Sequence, residues 1–386
     1  MSRTDSWTGR IALMVAHCAG MVDLVALPVW VGTLIARYGL NPQQAGGLAT
    51  LFLAGAVVAS AVLAPRFQRL RTRAVASGGF AAAAAGFVGV SLTQDYAAMA
   101  VLHALSGVAA GAALSVTHGT IARSARPHRL FAIVGMALGV FAIVFLGATP
   151  PLVAAAGGPA LFLVFGGVMA AAAAVSALAF PAAGATAGAP ARAAAPAPLP
   201  RAVWAGIAGI AAMALVQAMT FSFLERVGSD RGFGLAAVTG VLIALGIVNL
   251  FPAALAALLE RRWPARRVLL AGPVLQALLV VVIMNTRAFA PFAAAASVFA
   301  AVMIFTHTFA FGLLARLDTS GRAMAATPAM LMIGAAIGPV LGGTLVKALG
   351  YGSLGIAALV IGAGAVFCFS RIPSSAATEA PREVLA

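Results

Sequence analysis

The sequence predicts an all-α membrane protein: two six-helix bundles, twelve transmembrane helices in all, related by pseudo-two-fold symmetry. Three observations predict it. The 386 residues are 62% hydrophobic and only 9% charged, whereas a soluble domain carries about 25% charged residues. The apolar stretches are continuous, not alternating as in lipid-facing barrel strands. The basic residues fall in short breaks between those stretches, and mostly in every second break, as the positive-inside rule requires.

Taken in order, the candidate spans are 11–35, 45–64, 74–93, 97–121, 130–149, 159–180, 203–224, 235–259, 268–286, 290–314, 324–347 and 351–370. Short turns such as Thr93-Gln94-Asp95-Tyr96 join most of them. Between the sixth and seventh lies a run rich in Ala, Pro and Gly, which reads as a linker without a core of its own. The expected organisation is a bundle at 1–180, a cytoplasmic linker at 181–200, and a bundle with a short cytoplasmic tail at 201–386. With the N-terminus inside, the cytoplasmic segments hold 19 of the 24 basic residues. One missed or invented helix would flip every later loop, so the bias also supports the helix count.

The formal net charge of +15 does not point to nucleic acid, because the arginines are scattered over loops and form no basic face. Cys18 and Cys368 both lie in apolar runs and are expected as buried thiols. The first run is longer than a signal-peptide core of about 7–15 residues and lacks a small-x-small cleavage site. It is expected to remain a membrane helix. One lysine beside many Arg and Ala residues suggests a bacterial chain from a GC-rich genome, hence the inner membrane.

The run from Ile11 to Leu34 carries a single carboxylate, Asp23, near its middle. An intramembrane acid costs about 2.5–3.5 kcal/mol on insertion scales, and such groups usually handle protons or cations. Gly20, Leu27 and Trp30 fall on the helical face of Asp23. His17 is about 240° away around the helix at 100° per residue, which places it on another face.

The two halves echo each other at an offset of 195 residues: Arg66 maps to Arg261, Gly139 to Gly334, Gly147 to Gly342, and Asp23 to Ala218 beside Gln217. Internal repeats of this sort recur in secondary transporters.

Two motifs sharpen this. The loop after the second span reads Ala61-Val62-Leu63-Ala64-Pro65-Arg66-Phe67-Gln68-Arg69, and the eleventh span carries Gly334-Ala335-Ala336-Ile337-Gly338-Pro339-Val340-Leu341-Gly342-Gly343. With the six-plus-six layout, the chain resembles the major facilitator superfamily. Arg66 and Arg69 fit that family's G-x-x-x-D-R-x-G-R loop, although Ala61, Pro65 and Gln68 stand where it has Gly, Asp and Gly. The eleventh-span motif looks like the one that drug/proton antiporters of the family carry in helix five.

The resemblance implies that helices one, four, seven and ten line a central cavity. Each carries a polar residue inside its apolar run: Asp23, His103, Gln217 and His307. It implies proton coupling through Asp23, with His103 and His307 as further candidates, and a substrate cavity touching Trp30, Gln217, Met213 and Phe221. Gating loops would use Arg66, Arg69, Glu260, Arg261, Asp318 and Arg322. His103 also heads a row with Gly107, Gly111, Ser115 and Gly119, which reads more simply as a seam for close helix packing. Asn249, one turn before Pro252, is expected to satisfy backbone groups freed by a proline kink.

No Walker-type loop is present, so coupling to ATP is not expected, and no cofactor or metal is. Ser115 and His118 could mimic a hydrolase pair, but no G-x-S-x-G elbow accompanies them, so no enzyme is expected. His17, Cys18 and Asp23 do not share a face that would hold a metal. The leading expectation is a monomeric, proton-coupled exporter of small cationic or neutral amphipathic compounds, with protons, a small-molecule substrate and the lipid bilayer as partners. The alternative is a proton symporter for a small neutral or weakly acidic metabolite.

Overall fold

A computed structural model of the chain describes residues 6–181, 199–260, 262–318 and 322–373, with the side chains at 64, 65, 128 and 322–330 excepted. All regular elements among them are helices. The chain divides into two compact units, Met1–Pro196 and Ala197–Ala386. Most of the expected linker, 182–198, lies outside the described residues.

In the first unit, Ser6 caps α1 (Trp7–Gly20), its Oγ accepting from the Gly9 N–H at 3.2 Å. The helix stops at Met21 and restarts as α2 (Val22–Tyr38), and the two make one span. Gly39, at φ 65°, ends α2 in the left-handed conformation that glycine adopts without strain. A capping box opens α3 (Pro42–Leu63): the Gln44 N–H donates to Asn41 Oδ1 and the Asn41 N–H to Gln44 Oε1. Then follow α4 (Thr72–Ser91), α5 (Tyr96–Ala122), capped by Asp95, α6 (Pro127–Ala156) and α7 (Pro159–Ala179).

The second unit holds α8 (Arg201–Asp230), α9 (Leu235–Val248), α10 (Pro252–Leu259), α11 (Ala265–Asn285), α12 (Phe289–Leu317), α13 (Arg322–Leu349) and α14 (Gly352–Ser370). Counting α1 with α2 and α9 with α10 as one each, twelve helical segments among the described residues are long and apolar enough to cross a membrane.

Two spans overrun their expected ends. α6 continues through Pro150 and Pro151 to Ala156. The two prolines remove only two ladder bonds, and the helix ends where Gly157 turns to φ 86°. α8 continues past 224 because its polar tail is tied along the helix: Arg226 bridges to Asp230 at 2.7 Å and Ser229 Oγ donates to Glu225 at 2.8 Å, both at i,i+4 spacing. Glu225 thus lies inside a helix where a loop was expected.

Within each unit the same pairings recur. The first span packs on the fifth and sixth, the second on the fourth, and the third on the fourth and sixth; the seventh to twelfth repeat this arrangement. The sequence echo is therefore a repeat of internal packing, as expected of pseudo-two-fold-related halves. Small residues allow the closest approaches. A side chain at Gly111 would collide with Ala56 of α3, and one at Gly338 would lie 2.7 Å from the Ala218 Cβ and Met219 N of α8. The Gly107–Gly111 row is thus a packing seam between α3 and α5, and the glycine motif of α13 is a packing seam against α8.

Two expectations need correcting. Cys18 and Cys368 are half-buried free thiols, not fully buried ones, because each stands beside the inward stripe of its helix. Asn249 accepts from no backbone N–H through its side-chain oxygen, which is buried without a partner among the described residues. The helix does not kink there but stops, and Pro252 opens a new helix at a position that needs no N–H donor.

Gly111→Leu and Gly338→Leu are each expected to abolish a folded, monodisperse protein, or to lower its unfolding temperature sharply in detergent. Gly135→Ala, which meets only open space, should leave that temperature unchanged or slightly raised. Fluorescence-detected size exclusion after heating distinguishes the two cases.

Candidate functional site

In the first unit the chemistry gathers around the break at Met21. Asp23 follows the break by two residues, in the first turn of α2, and is 1% exposed. Its Oδ1 accepts from the Leu24 N–H at 2.8 Å, while its Oδ2 is buried with no partner among the described residues. The amino end of a helix favours a negative charge, so the break offsets part of the cost of a carboxylate in apolar surroundings. It leaves one oxygen uncommitted.

Two turns further along α2, about 10 Å on, Trp30 sits fully buried in an aromatic box. The His103 ring stacks on it at 5.4 Å between centroids, and Phe52, Phe87 and Phe165 meet it edge-on at 5.0–6.1 Å. His103 Nδ1 donates to the Met99 carbonyl at 2.6 Å. A carbonyl only accepts, so His103 Nε2 is left as an acceptor. His103 Nε2 and Trp30 Nε1 are both buried without partners among the described residues. The four-residue step from Met to His recurs in α12, where His307 Nδ1 donates to the Met303 carbonyl at 2.9 Å and the ring lies 4.8 Å from Phe311.

His17 joins neither group. Its Nδ1 lies 3.0 Å from Nε2 of His118 on α5, so a single proton bridges the two rings. Sequence reasoning missed this pair, which spans 101 residues of chain. Among the described residues no three His, Cys, Asp or Glu side chains gather in a cluster able to hold a metal ion.

In the second unit, Gln217 is half-buried and its Oε1 accepts from Gln276 Nε2 of α11 at 3.2 Å. Gln276 also reaches the Met213 carbonyl at 3.3 Å. Met213 itself belongs to the hydrophobic core of the unit, with Ile210, Met303 and Phe309, and Phe221 is 8% exposed. Gln276 was not singled out in the sequence, where it stands as one polar residue in an apolar run.

The loop residues are dispersed. Arg66 and Arg69 are exposed on the short helix Ala64–Arg69, Arg66 donating to the Val62 carbonyl. Phe67 between them is buried under the Arg123 guanidinium, 4.3 Å from the ring centroid. Glu260 caps the end of α10, and Asp318 is 8% exposed at the end of α12. Arg261 lies outside the described residues, as does the side chain of Arg322, which opens α13.

The profile of the Major Facilitator Superfamily matches residues 12–315. The chain belongs to the Major Facilitator Superfamily. Solved transporters share its fold. A bacterial homolog of the human lysosomal transporter Spinster, inward-facing and occupied, aligns with a TM-score of 0.70 at 14% identity, covering 95% of this chain and 94% of that one. The nucleoside transporter NupG aligns at 0.72 and 12% identity over 96% and 100% of the two chains. A D-xylose–proton symporter aligns at 0.75 and 12% identity over 95% and 97%. No curated protein sequence matches the chain. At such identities the likeness shows the superfamily fold alone.

At the opposite end of the second unit from its arginine-rich loops, Tyr351 donates to Asp230 Oδ2 at 2.6 Å, and Arg231 donates to the carbonyls of Ile283 and Met284. Burial, together with the Asp230 carboxylate, pushes the Tyr351 phenol above its ordinary value of 10.0. The folded state holds this proton more tightly than the unfolded one. Its contribution is therefore complete below about pH 10 and is lost as pH rises beyond that. Tyr351→Phe should cost at most about 1 kcal/mol, since the pair is solvent-accessible. Its unfolding temperature should fall less steeply than that of wild type from pH 9 to 11, as thermal denaturation across that range would record.

Proposed function

We propose that the protein is a proton-coupled exporter of small cationic or neutral amphipathic compounds, working by alternating access as a monomer in a bacterial inner membrane. Both termini are cytoplasmic, and the two six-helix halves are joined by the 181–200 linker. The observation that carries this reading is the uncommitted oxygen of Asp23 at the break in the first span. A carboxylate held by one backbone N–H and free at its other oxygen can take either a proton or a cationic group, but not both. That exclusion is what couples the two fluxes. Discontinuous helices serve ion and substrate sites in many transporters.

His103 and His307 present acceptor nitrogens on their respective spans and serve as hydrogen-bond partners or secondary proton sites. Trp30, Gln217, Met213 and Phe221 supply the apolar wall and the amide that a mixed-polarity substrate meets. Arg66, Arg69, Glu260, Arg261, Asp318 and Arg322 act in the loops at the arginine-rich ends as the halves exchange conformations.

The test uses a bacterial host stripped of its main efflux pumps. Wild type should protect against at least one cationic or neutral amphipathic compound. Asp23→Asn, at equal membrane abundance, should lose that protection, and Asp23→Glu should keep part of it. In energised everted vesicles the same compound should release protons from the lumen with wild type only. If external compound instead drives protons inward together with itself, the protein is a symporter and the export reading fails.

A further inference from the structure

The break in the eighth span opens a groove that the transport reading does not use. α9 stops at Val248 and α10 restarts at Pro252. A cleft of about 690 Å³ runs between α10, α11 and α12. Its walls are apolar, formed by Phe251, Leu255, Ala271, Leu275, Ala301 and Phe305. Phe251, Leu255 and Leu275 are 48–62% exposed, so the cleft opens outward from the helix bundle. Its one hydroxyl, Thr306 Oγ1, is already bonded to the Val302 carbonyl at 2.8 Å. Nothing in the walls calls for a polar ligand.

The mouth is different. Arg262 and Arg267 line it, both exposed, on either side of Trp263 and Pro264. Trp263 is half exposed and meets Phe305 edge-on at 5.9 Å between centroids. Tryptophan beside arginine is the composition of the membrane–water boundary. From Arg267 to Leu275 the groove follows α11 for about 12 Å, close to one leaflet of a hydrocarbon core about 30 Å thick. The groove therefore has the depth of one lipid, an acyl-chain wall and a doubly cationic rim.

We propose that this groove seats an anionic phospholipid, with one acyl chain between α10, α11 and α12 and its phosphate group on Arg262 and Arg267. Basic pockets between membrane helices select anionic headgroups through guanidinium–phosphate bonds. Trp263 fixes the depth of the glycerol region. A bound lipid fills the gap left by the broken helix and braces α10 against α12. The site lies within the second unit and does not depend on the role given to Asp23.

The test is thermal unfolding of the purified, delipidated full-length protein in a neutral detergent, with added phosphatidylglycerol or with phosphatidylethanolamine of the same acyl chains. Phosphatidylglycerol should raise the unfolding temperature of wild type, and phosphatidylethanolamine should do so much less. The shift should vanish in R262Q/R267Q and in Ala301→Phe, which fills the groove and leaves both arginines in place. It should persist in R126Q/R129Q, which removes equal charge from exposed positions in the first unit. Should Ala301→Phe fail to fold, the two arginine pairs decide the matter. Equal shifts from the two lipids would overturn the proposal. So would loss of the shift in R126Q/R129Q, its survival in R262Q/R267Q or in folded Ala301→Phe, or its reproduction by glycerophosphate without acyl chains.

Discussion

A carboxylate inside a membrane span has to be held by something, and how it is held sets the character of the first unit. Asp23 is held by an interruption in its own helix. Its Oδ1 takes the Leu24 N–H, five residues later Pro28 has no N–H to offer, and Met21 leaves the helical conformation between α1 and α2. Each of these weakens the ladder where an uninterrupted helix would bury its backbone groups at no cost. The weakening is what makes donors and a helix end available to the charge. The neighbouring helices then compensate with tight packing: α1 lies against α5, α6 and α7, and α2 against α3 and α6.

The two units repeat one packing scheme but spend their polar residues differently. In the first, polar atoms sit against rings, with His103 and Trp30 inside a box of phenylalanines. In the second, they satisfy one another: Gln276 reaches across to Gln217 and to a carbonyl of α8. A buried polar group without a partner costs about 1–3 kcal/mol; Asp23 Oδ2, His103 Nε2 and Trp30 Nε1 carry such costs in the first unit, and Asn249 Oδ1 does in the second. The repeat-mate of Asp23, Ala218, has no polar side chain and is packed against Gly338.

The spans were legible in the sequence because an apolar run and a break are local properties, and the positive-inside pattern counts the breaks independently. The eighth span, 235–259, has the same limits in structure as in sequence. The break at Met21 was not legible. Gly20 stands beside it, but a lone glycine in an apolar run does not by itself set a break, and the capture of the Leu24 N–H by Asp23 is seen only in the structure. The extension of α8 to Asp230 was hidden for a related reason. Arg226, Ser229 and Asp230 read as loop until their i,i+4 ties are seen. Of the site, Asp23, His103 and His307 announced themselves as polar residues in apolar runs. His118 and Gln276, the partners of His17 and Gln217, did not, since they become meaningful only through contacts more than 50 residues away in the chain.

The proposed preference for cationic or neutral compounds draws on which charges are already committed. Arg73 donates to the Phe180 carbonyl, Arg123 lies on the Phe67 ring, Arg226 pairs with Asp230, and Arg231 is taken up by two carbonyls. Each of these four is engaged within its own unit. An anion drawn to one of these four would have to strip it from its partners and bring it into hydrocarbon, against a cost of several kcal/mol. A cationic or neutral molecule meets no such demand. Asp23 Oδ2, uncommitted among the described residues, would offer such a cation a partner under the export reading. The export reading favours amphipathic cations and neutral compounds for this reason, which is independent of any relative's substrate.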